Sequence, residues 1–480
     1  MKLFSLRLTT LKSKLYAIVL ASFFVRVVAF FLLPNKGSLI PLDENGYSVI
    51  SAAASTGKSV KDLLGGDELY LASRALVLPA SALIRIGADQ VSSVRIVSSV
   101  YGILSVCLVA LFLFKILNKD SESHKLGFQN NTLILLPFLV FAFLPSHLFW
   151  SILGLREAAM EFWVIVVFML CFLLFEMKVK NRIFVFLGFL LGIVCVFSSR
   201  PQVGWVLGLT LLIYSTLRIK EVTAQLLIFV TLVGMLAGYA VTASYSVEVD
   251  SEFTATIFES TAEQNIASES TAEQNIARVG QLCKSKGQEL IYNGVKFLCH
   301  ERVIKKSLLD LENPGRVLVN QTDRITFKHE VNKIDAESAI RTLECPNKGD
   351  SRFDNYFCIA YRAPYMTLTF LFRPLPGTDI SSSASLFAAA ENVFWLTAFL
   401  FILVMFIKNK RLAFFGAQLP SLLFVTIYSV AAGSYEGNMG TAFRHKSLIL
   451  WAVIFLLTST IVATKQRKAE QQEISGSSQE

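Results

Sequence analysis

Charge is scarce in this chain: Asp, Glu, Lys and Arg together make up 17% of its 480 residues, against 53% hydrophobic ones. A soluble fold of this length could not cover its surface with so few ionic side chains, so the composition excludes an ordinary globular protein. The motifs that mark many soluble enzymes are also missing. There is no Walker A loop, no dinucleotide-binding glycine fingerprint, no His-Glu-x-x-His and no Gly-x-Ser-x-Gly. The chain therefore carries no sign of hydrolysing a nucleotide, and energy for a reaction would have to arrive with the substrate. No recognition motif accompanies the net charge of +9. The Lys and Arg residues lie in short clusters between apolar runs, which argues against a nucleic-acid surface.

What the chain has in abundance is long apolar segments. The basic N-terminus (Lys2, Arg7, Lys12, Lys14) leads into Leu15 to Leu33, too long for a signal peptide and followed by no small-residue cleavage site, so it reads as an anchor. Further runs able to span a bilayer are Val94 to Leu117, Thr132 to Trp150, Ala158 to Met177, Ile183 to Phe197, Val203 to Leu217, Leu226 to Ala243, Leu386 to Ile407, Leu412 to Ala432 and Leu448 to Ala463. A weaker run, Leu71 to Ala88, is interrupted by Arg74, Pro79 and Arg85. Short basic loops belong in the cytoplasm. Six such clusters, including Lys178 to Arg182, Lys408 to Arg411 and Lys465 to Lys468, fall on one side only if Leu71 to Ala88 does not cross. The expected fold is thus an all-α polytopic membrane protein of about ten spans with both termini cytoplasmic. Residues 1–243 form an N-terminal transmembrane module whose first external loop, 34–93, carries a surface helix; 386–464 hold the last three spans and 465–480 a polar cytoplasmic tail.

The same parity puts residues 244–385 outside the cytoplasm. Cys107, Cys171 and Cys195 lie in spans, whereas Cys283, Cys299, Cys345 and Cys358 all lie in this segment. Four cysteines in an external domain of α/β or mixed type read as two disulfides, most simply Cys283 with Cys299 and Cys345 with Cys358, out of three connectivities. Free thiols or a zinc site are the alternatives, though no C-x-x-C pair is present. A tandem duplication, Glu259 to Ala267 and again Glu269 to Ala277, reads as a polar insertion without chemistry. The residues from about Gln471 read as disordered.

Candidate chemistry collects at the outer ends of the spans. Asp43-Glu44-Asn45-Gly46-Tyr47 follows the first span by about ten residues; alone, it is a solvated turn. Arg26 lies inside the first span, where a charge is either paired, lining a cavity or snorkelling to the interface. Arg95, Arg156, Arg200, Arg373 and Arg444 sit at outer ends, against the cytoplasmic preference of basic residues. Guanidinium forks match phosphate oxygens, so an anionic partner at the outer interface would explain them, as would lipid headgroups for some. Glu157 and Glu391 open the fourth and eighth spans, where helix macrodipoles also favour acids.

Taken together, these residues resemble the GT-C membrane glycosyltransferases, which use polyprenyl-phosphate-linked sugars and include protein mannosyltransferases and the bacterial aminoarabinose transferase. The resemblance rests on Arg26, Asp43-Glu44-x-x-Tyr47, Gly87 to Arg95, Leu155-Arg156-Glu157, Ser199-Arg200-Pro201, Phe372 to Pro376 with Glu391-Asn392, and Gly437 to His445. It implies Asp43 as catalytic base, with Glu44 the alternative, and Glu157 as a second acidic site, where the family more often has aspartate. It further implies Arg26, Arg95, Arg200, Arg373 and Arg444 as phosphate ligands, with Tyr47, Glu391, Asn438 and His445 lining the substrate site. The implied partners are a polyprenyl-phosphate sugar donor, a glycan, lipid or protein acceptor, and the bilayer. No cofactor is demanded; Asp43 and Glu157 are where a divalent metal would bind. An O-antigen-type polymerase or ligase, and a transporter or lipid flippase, are the competing expectations.

Overall fold

The computed structural model describes residues 11–33, 42–57, 74–119, 135–176, 181–243, 252–259, 289–292, 295–302, 352–375, 379–380, 383–408, 418–435 and 439–477. The helices are α1 (Leu11–Leu32), α2 (Leu42–Ser55), α3 (Arg74–Arg85), α4 (Gln90–Lys119), α5 (Leu136–Phe143), α6 (Pro145–Ile152), α7 (Glu157–Glu176), α8 (Arg182–Ser199), α9 (Pro201–Leu217) and α10 (Val222–Ala243). After strands β1 (Glu252–Glu259), β2 (Glu289–Tyr292) and β3 (Val295–Arg302) come α11 (Arg352–Phe372), α12 (Ser383–Lys408), α13 (Leu419–Tyr435) and α14 (Met439–Ser477). Among the described residues six helices are long and apolar enough to cross a membrane: α1, α4, α7, α8, α12 and α14. Shorter apolar helices occupy the other expected spans. Phe24 and Phe31 of α1, Phe184 and Leu187 of α8, and Phe229 and Leu236 of α10 are exposed, as suits a multi-pass membrane protein whose helix exteriors meet lipid. In α14, 83% of the most apolar stretch is buried against 22% in α1 and α12, which makes α14 a central helix and those two peripheral.

The chain divides into two compact units: Met1–Thr242, Leu371–Ala431 and Phe443–Glu480 form the first, Ala243–Phe370 and Ala432–Ala442 the second. In the first unit, α2 and α3 pack with α4 around Tyr47, Ile50, Leu76, Val77, Ala80 and Val94. The segment expected as an open turn, Asp43 to Tyr47, is therefore helical, with Tyr47 1% exposed; burial of one apolar face makes the helix where polarity alone suggested a loop. The weak run folds as α3, with Pro79 inside it. Proline supplies no N–H for the carbonyl four residues back. The hydroxyl of Tyr101 donates instead to that Ala75 carbonyl at 3.0 Å. Two hydrogen bonds, Gly87 N to Ile84 O and Ala88 N to Leu83 O, end α3 around Gly87 at φ +99°, a Schellman stop that requires a left-handed residue. Asp89 then caps α4 through Ser92 N at 3.0 Å.

The expected span Thr132 to Trp150 is broken into α5 and α6. Leu144 stands extended, at ψ 122°, because the following Pro145 disfavours a helical predecessor. Small residues draw other helices close: a Cβ on Gly204 or Gly238 would come within 2.6 Å and 2.5 Å of Phe197, so that ring lies between two glycines. At the C-terminus α14 continues through Ser477 rather than giving way to disorder. A run of strong helix formers, Lys465 to Glu473, extends an existing helix and needs no new nucleus.

In the second unit the strands form an antiparallel sheet of order β1-β3-β2, with Glu252 opposite Arg302 and Glu289 opposite Leu298. Cys299 falls in β3, and Cys358, in α11, is disulfide-bonded, which removes it from any zinc set. Cys283, Cys345 and the duplicated segment beyond Glu259 lie outside the described residues.

The Ser92 amide holds the Asp89 carboxyl below its usual range, so its cap is present above the ordinary carboxylate pKa and lost as pH falls through the lowered one. Asp89→Ala should lower stability by about 1 kcal/mol at neutral pH. Asp89→Asn should retain the cap and remove this part of the acid dependence. Thermal unfolding in detergent from neutral pH down to about pH 3 reads both.

Candidate functional site

Several buried charges in the first unit are held by partners from distant segments. Glu44, in the first turn of α2, receives Arg95 of α4 in a two-pronged pair, Nε to Oε1 at 2.7 Å and Nη2 to Oε2 at 2.9 Å. Both side chains are buried. Gly154 N also donates to Glu44 Oε1, at 2.7 Å. Only glycine fits at 154, since a Cβ there would lie 2.5 Å from Val94 and 3.1 Å from Glu44 Oε1. Glu44 and Arg95 thus fasten α2 to α4 and to the end of α6. They satisfy one another, which leaves neither free for the roles of base and phosphate ligand that the sequence suggested. Asp43 shares the first turn of α2 with Glu44; its side chain lies outside the described residues.

Two residues past Leu155, Glu157 begins α7 and is buried. Arg444 Nε, on α14, lies 3.1 Å from its Oε1, and His445 Nε2 lies 3.7 Å from the same oxygen. Arg156 acts on the same carboxylate electrostatically. Arg200, at the N-cap of α9, meets His445 Nε2 through its Nη1. Arg156 and Arg444 thus act on Glu157, and Arg200 reaches the His445 ring beside it, so that residues of three chain segments meet here. Extended backbone at Arg200, forced by Pro201, is what lets that side chain leave the helical direction of α8.

A second buried network centres on Arg26. Arg26 falls on the buried stripe of α1, Leu11, Leu15, Ile18, Ser22 and Arg26, and is 0% exposed, so it does not snorkel. Its Nε donates to Ser151 Oγ at 3.0 Å, Nη1 to Ser22 Oγ and to the Ala142 carbonyl at 3.2 Å, and Nη2 to His147 Nδ1 at 3.2 Å. Those contacts occupy the guanidinium inside the protein, and the expectation that Arg26 binds phosphate gives way to a bracing role. His147 Nε2 in turn lies 3.0 Å from Glu161 Oε2.

Around α12, Glu391 accepts from Ser146 N at 3.1 Å and Ser146 Oγ at 2.6 Å, so it closes the N-terminus of α6 and does not line an open site as expected. Buried Lys446 reaches the carbonyls of Leu371 (3.3 Å) and Arg373 (3.1 Å) and Asn392 Oδ1 (2.6 Å). The Arg373 side chain is held by Asp379, with Nε 2.7 Å from Oδ2, which secures its own turn and replaces the expected phosphate contact. Tyr47 is packed in the core of α2, α3 and α4, so it does not face a sugar. Asn438 lies outside the described residues.

Of the residues singled out from sequence, Glu157, Arg200, Arg444 and His445 are brought together, with Arg156 beside them. Ser146, His147, Ser151, Glu161, Asp379 and Lys446 were not singled out. Glu157 and Glu161 stand four residues apart on one helix face, a spacing legible in the sequence; His147 follows the helix-breaking Pro145, the one hint of its place. Among the described residues no group of three His, Cys, Asp or Glu side chains could hold a metal.

Breaking a buried ion pair from one side leaves the other charge unmatched, at about 3–5 kcal/mol, whereas apolar replacement of both partners is near neutral. Arg95→Met should therefore destabilise the protein strongly, and Arg95→Met with Glu44→Leu should recover most of the loss. Thermal or denaturant unfolding of the purified chains measures the difference.

No family model, curated protein or solved structure matches this chain, and its function has to be read from the arrangement of its side chains.

Proposed function

We propose that the chain is a membrane glycosyltransferase that moves a sugar from a polyprenyl-phosphate carrier to an acceptor hydroxyl on the outer face of the cytoplasmic membrane. The observation that carries this reading is the meeting of Arg156, Arg444 and His445 at Glu157, with Arg200 on the His445 ring and the Gly154 amide that anchors Glu44 three residues before Glu157. Positive charge concentrated in a largely buried place suits a ligand whose negative charge grows as a bond breaks. A departing lipid phosphate is such a ligand.

In this reading Asp43 removes the proton of the acceptor hydroxyl. The oxygen attacks the anomeric carbon, the bond from that carbon to the phosphate oxygen breaks with inversion, and its electron pair leaves on the phosphate. Arg200 and Arg444 take up the charge, with Arg156 adding to the local potential. Glu157 keeps the arginines apart and aimed. Arg26, Arg95 and Arg373 fall out of the phosphate-binding set because their guanidiniums brace the protein. In this reading the six long apolar helices and four shorter ones cross the membrane, both termini are cytoplasmic and residues 244–385 lie outside, a compartment in which the Cys358 disulfide is stable. Surface glycan, lipid and protein hydroxyls are all suitable acceptors.

One observation favours a transporter instead, since a helix broken in mid-bundle is a device by which transporters expose backbone to a solute. Here the Ala142 carbonyl is taken by Arg26 and the Ser146 amide by Glu391, so neither is offered to one.

Asp43→Asn should abolish sugar transfer from a radiolabelled polyprenyl-phosphate donor pool in membranes with equal protein levels. Arg444→Gln should lower it about 10²- to 10³-fold, the loss seen for a single charge-stabilising donor. Full transfer by Asp43→Asn would move the base elsewhere, and absence of transfer by the unaltered protein across several donors and acceptors would sink the reading.

A further inference from the structure

We infer that His147 and Glu161 are positioning residues, a buried relay that holds the α5–α6 break in one geometry and through it aims the first turn of α2. For its kinetic consequences this inference rests on the function proposed above. A fully buried guanidinium in a membrane-type helix needs a countercharge. The hydrogen-bond partners of Arg26, namely Ser22, the Ala142 carbonyl, Ser151 and His147, are all uncharged acceptors. The opposite charge that acts on it is Glu161, and His147 is the link.

Donor and acceptor chemistry fixes the state of that link. Arg26 Nη2 can only donate, so His147 Nδ1 accepts; Nε2 then carries the proton and donates to Glu161 Oε2 at 3.0 Å. A neutral imidazole in one tautomer thus joins a cation to an anion.

Arg26 grips both sides of the broken helix, the Ala142 carbonyl before Leu144 and the Ser151 hydroxyl after it. Its grip therefore sets the angle between α5 and α6. The latter runs out at Ile152, and two residues on the Gly154 amide meets Glu44, the neighbour of Asp43. Tight packing transmits any change: a Cβ on Gly102 of α4 would come within 2.5 Å of the Ser151 side chain and 3.5 Å of Arg26 Nε. Small displacements of catalytic groups lower rates steeply while leaving binding at other parts of the site intact.

Glutamine can replace a neutral bridging histidine, since its carbonyl accepts and its amide donates, whereas leucine can do neither. The full-length protein in lipid nanodiscs would be compared as wild type, His147→Gln, His147→Leu and Glu161→Gln. Hydrogen exchange at the Ser146 and Gly154 amides gives a readout independent of activity, and kcat and donor KM with a polyprenyl-phosphate sugar pool give the other.

The expected pattern is faster exchange at Gly154 in His147→Leu and Glu161→Gln, kcat lowered about 10- to 100-fold with donor KM nearly unchanged, and near-normal values for His147→Gln. Glu161→Gln keeps an acceptor for His147 and removes only charge, so it serves if His147→Leu does not fold. Equal damage from His147→Gln and His147→Leu would overturn the inference in favour of proton transfer by the imidazole itself. Unchanged Gly154 exchange in both His147→Leu and Glu161→Gln would also overturn it. If wild type transfers no sugar while the exchange pattern holds, the relay stands and the proposed activity falls.

Discussion

The break at Leu144–Pro145 is the constraint on which the rest of the first unit depends. A proline in an apolar helix leaves backbone groups without partners, and inside a bilayer such groups cannot be left to water. Here the Ala142 carbonyl goes to Arg26 and Ser22, and the Ser146 amide to Glu391. The helix is interrupted, and two charged side chains from distant spans are bound by the interruption. Short α6 then supplies a contact at almost every turn: Ser146 to α12, His147 to α7 and Ser151 to α1, with Gly154, just past its end, reaching α2.

Charge follows from the same constraint. Lys446 and Arg373 end on carbonyls or on a carboxylate at fixed distances, and Arg95 is held by both oxygens of Glu44. Such pairs add little net stability over apolar packing, but they are unforgiving of rearrangement, because a freed charge has nowhere to go. They give the helices one relative placement. Glu157 differs from these pairs, since more than one arginine acts on its single carboxylate.

An arginine at the end of a span has two physical uses, to brace the protein and to bind an anion. Arg26, Arg95 and Arg373 brace; Arg200 and Arg444 belong to the cluster at Glu157. Sequence cannot separate them, since both uses need the same residue at the same depth.

The sequence by itself determined that this is a multi-pass helical membrane protein, because apolar length and the scarcity of charge admit little else. It also determined the local stops and starts: Gly87 ends α3, Asp89 begins α4 and Pro145 breaks a span, all through contacts within a few residues. Only the tertiary structure decided that Glu44 is an anchor, that Tyr47 is core, and that His147 and Glu161 form a buried pair. Those roles depend on partners 14 to 110 residues away, and no local pattern encodes which carboxylate a given arginine will meet.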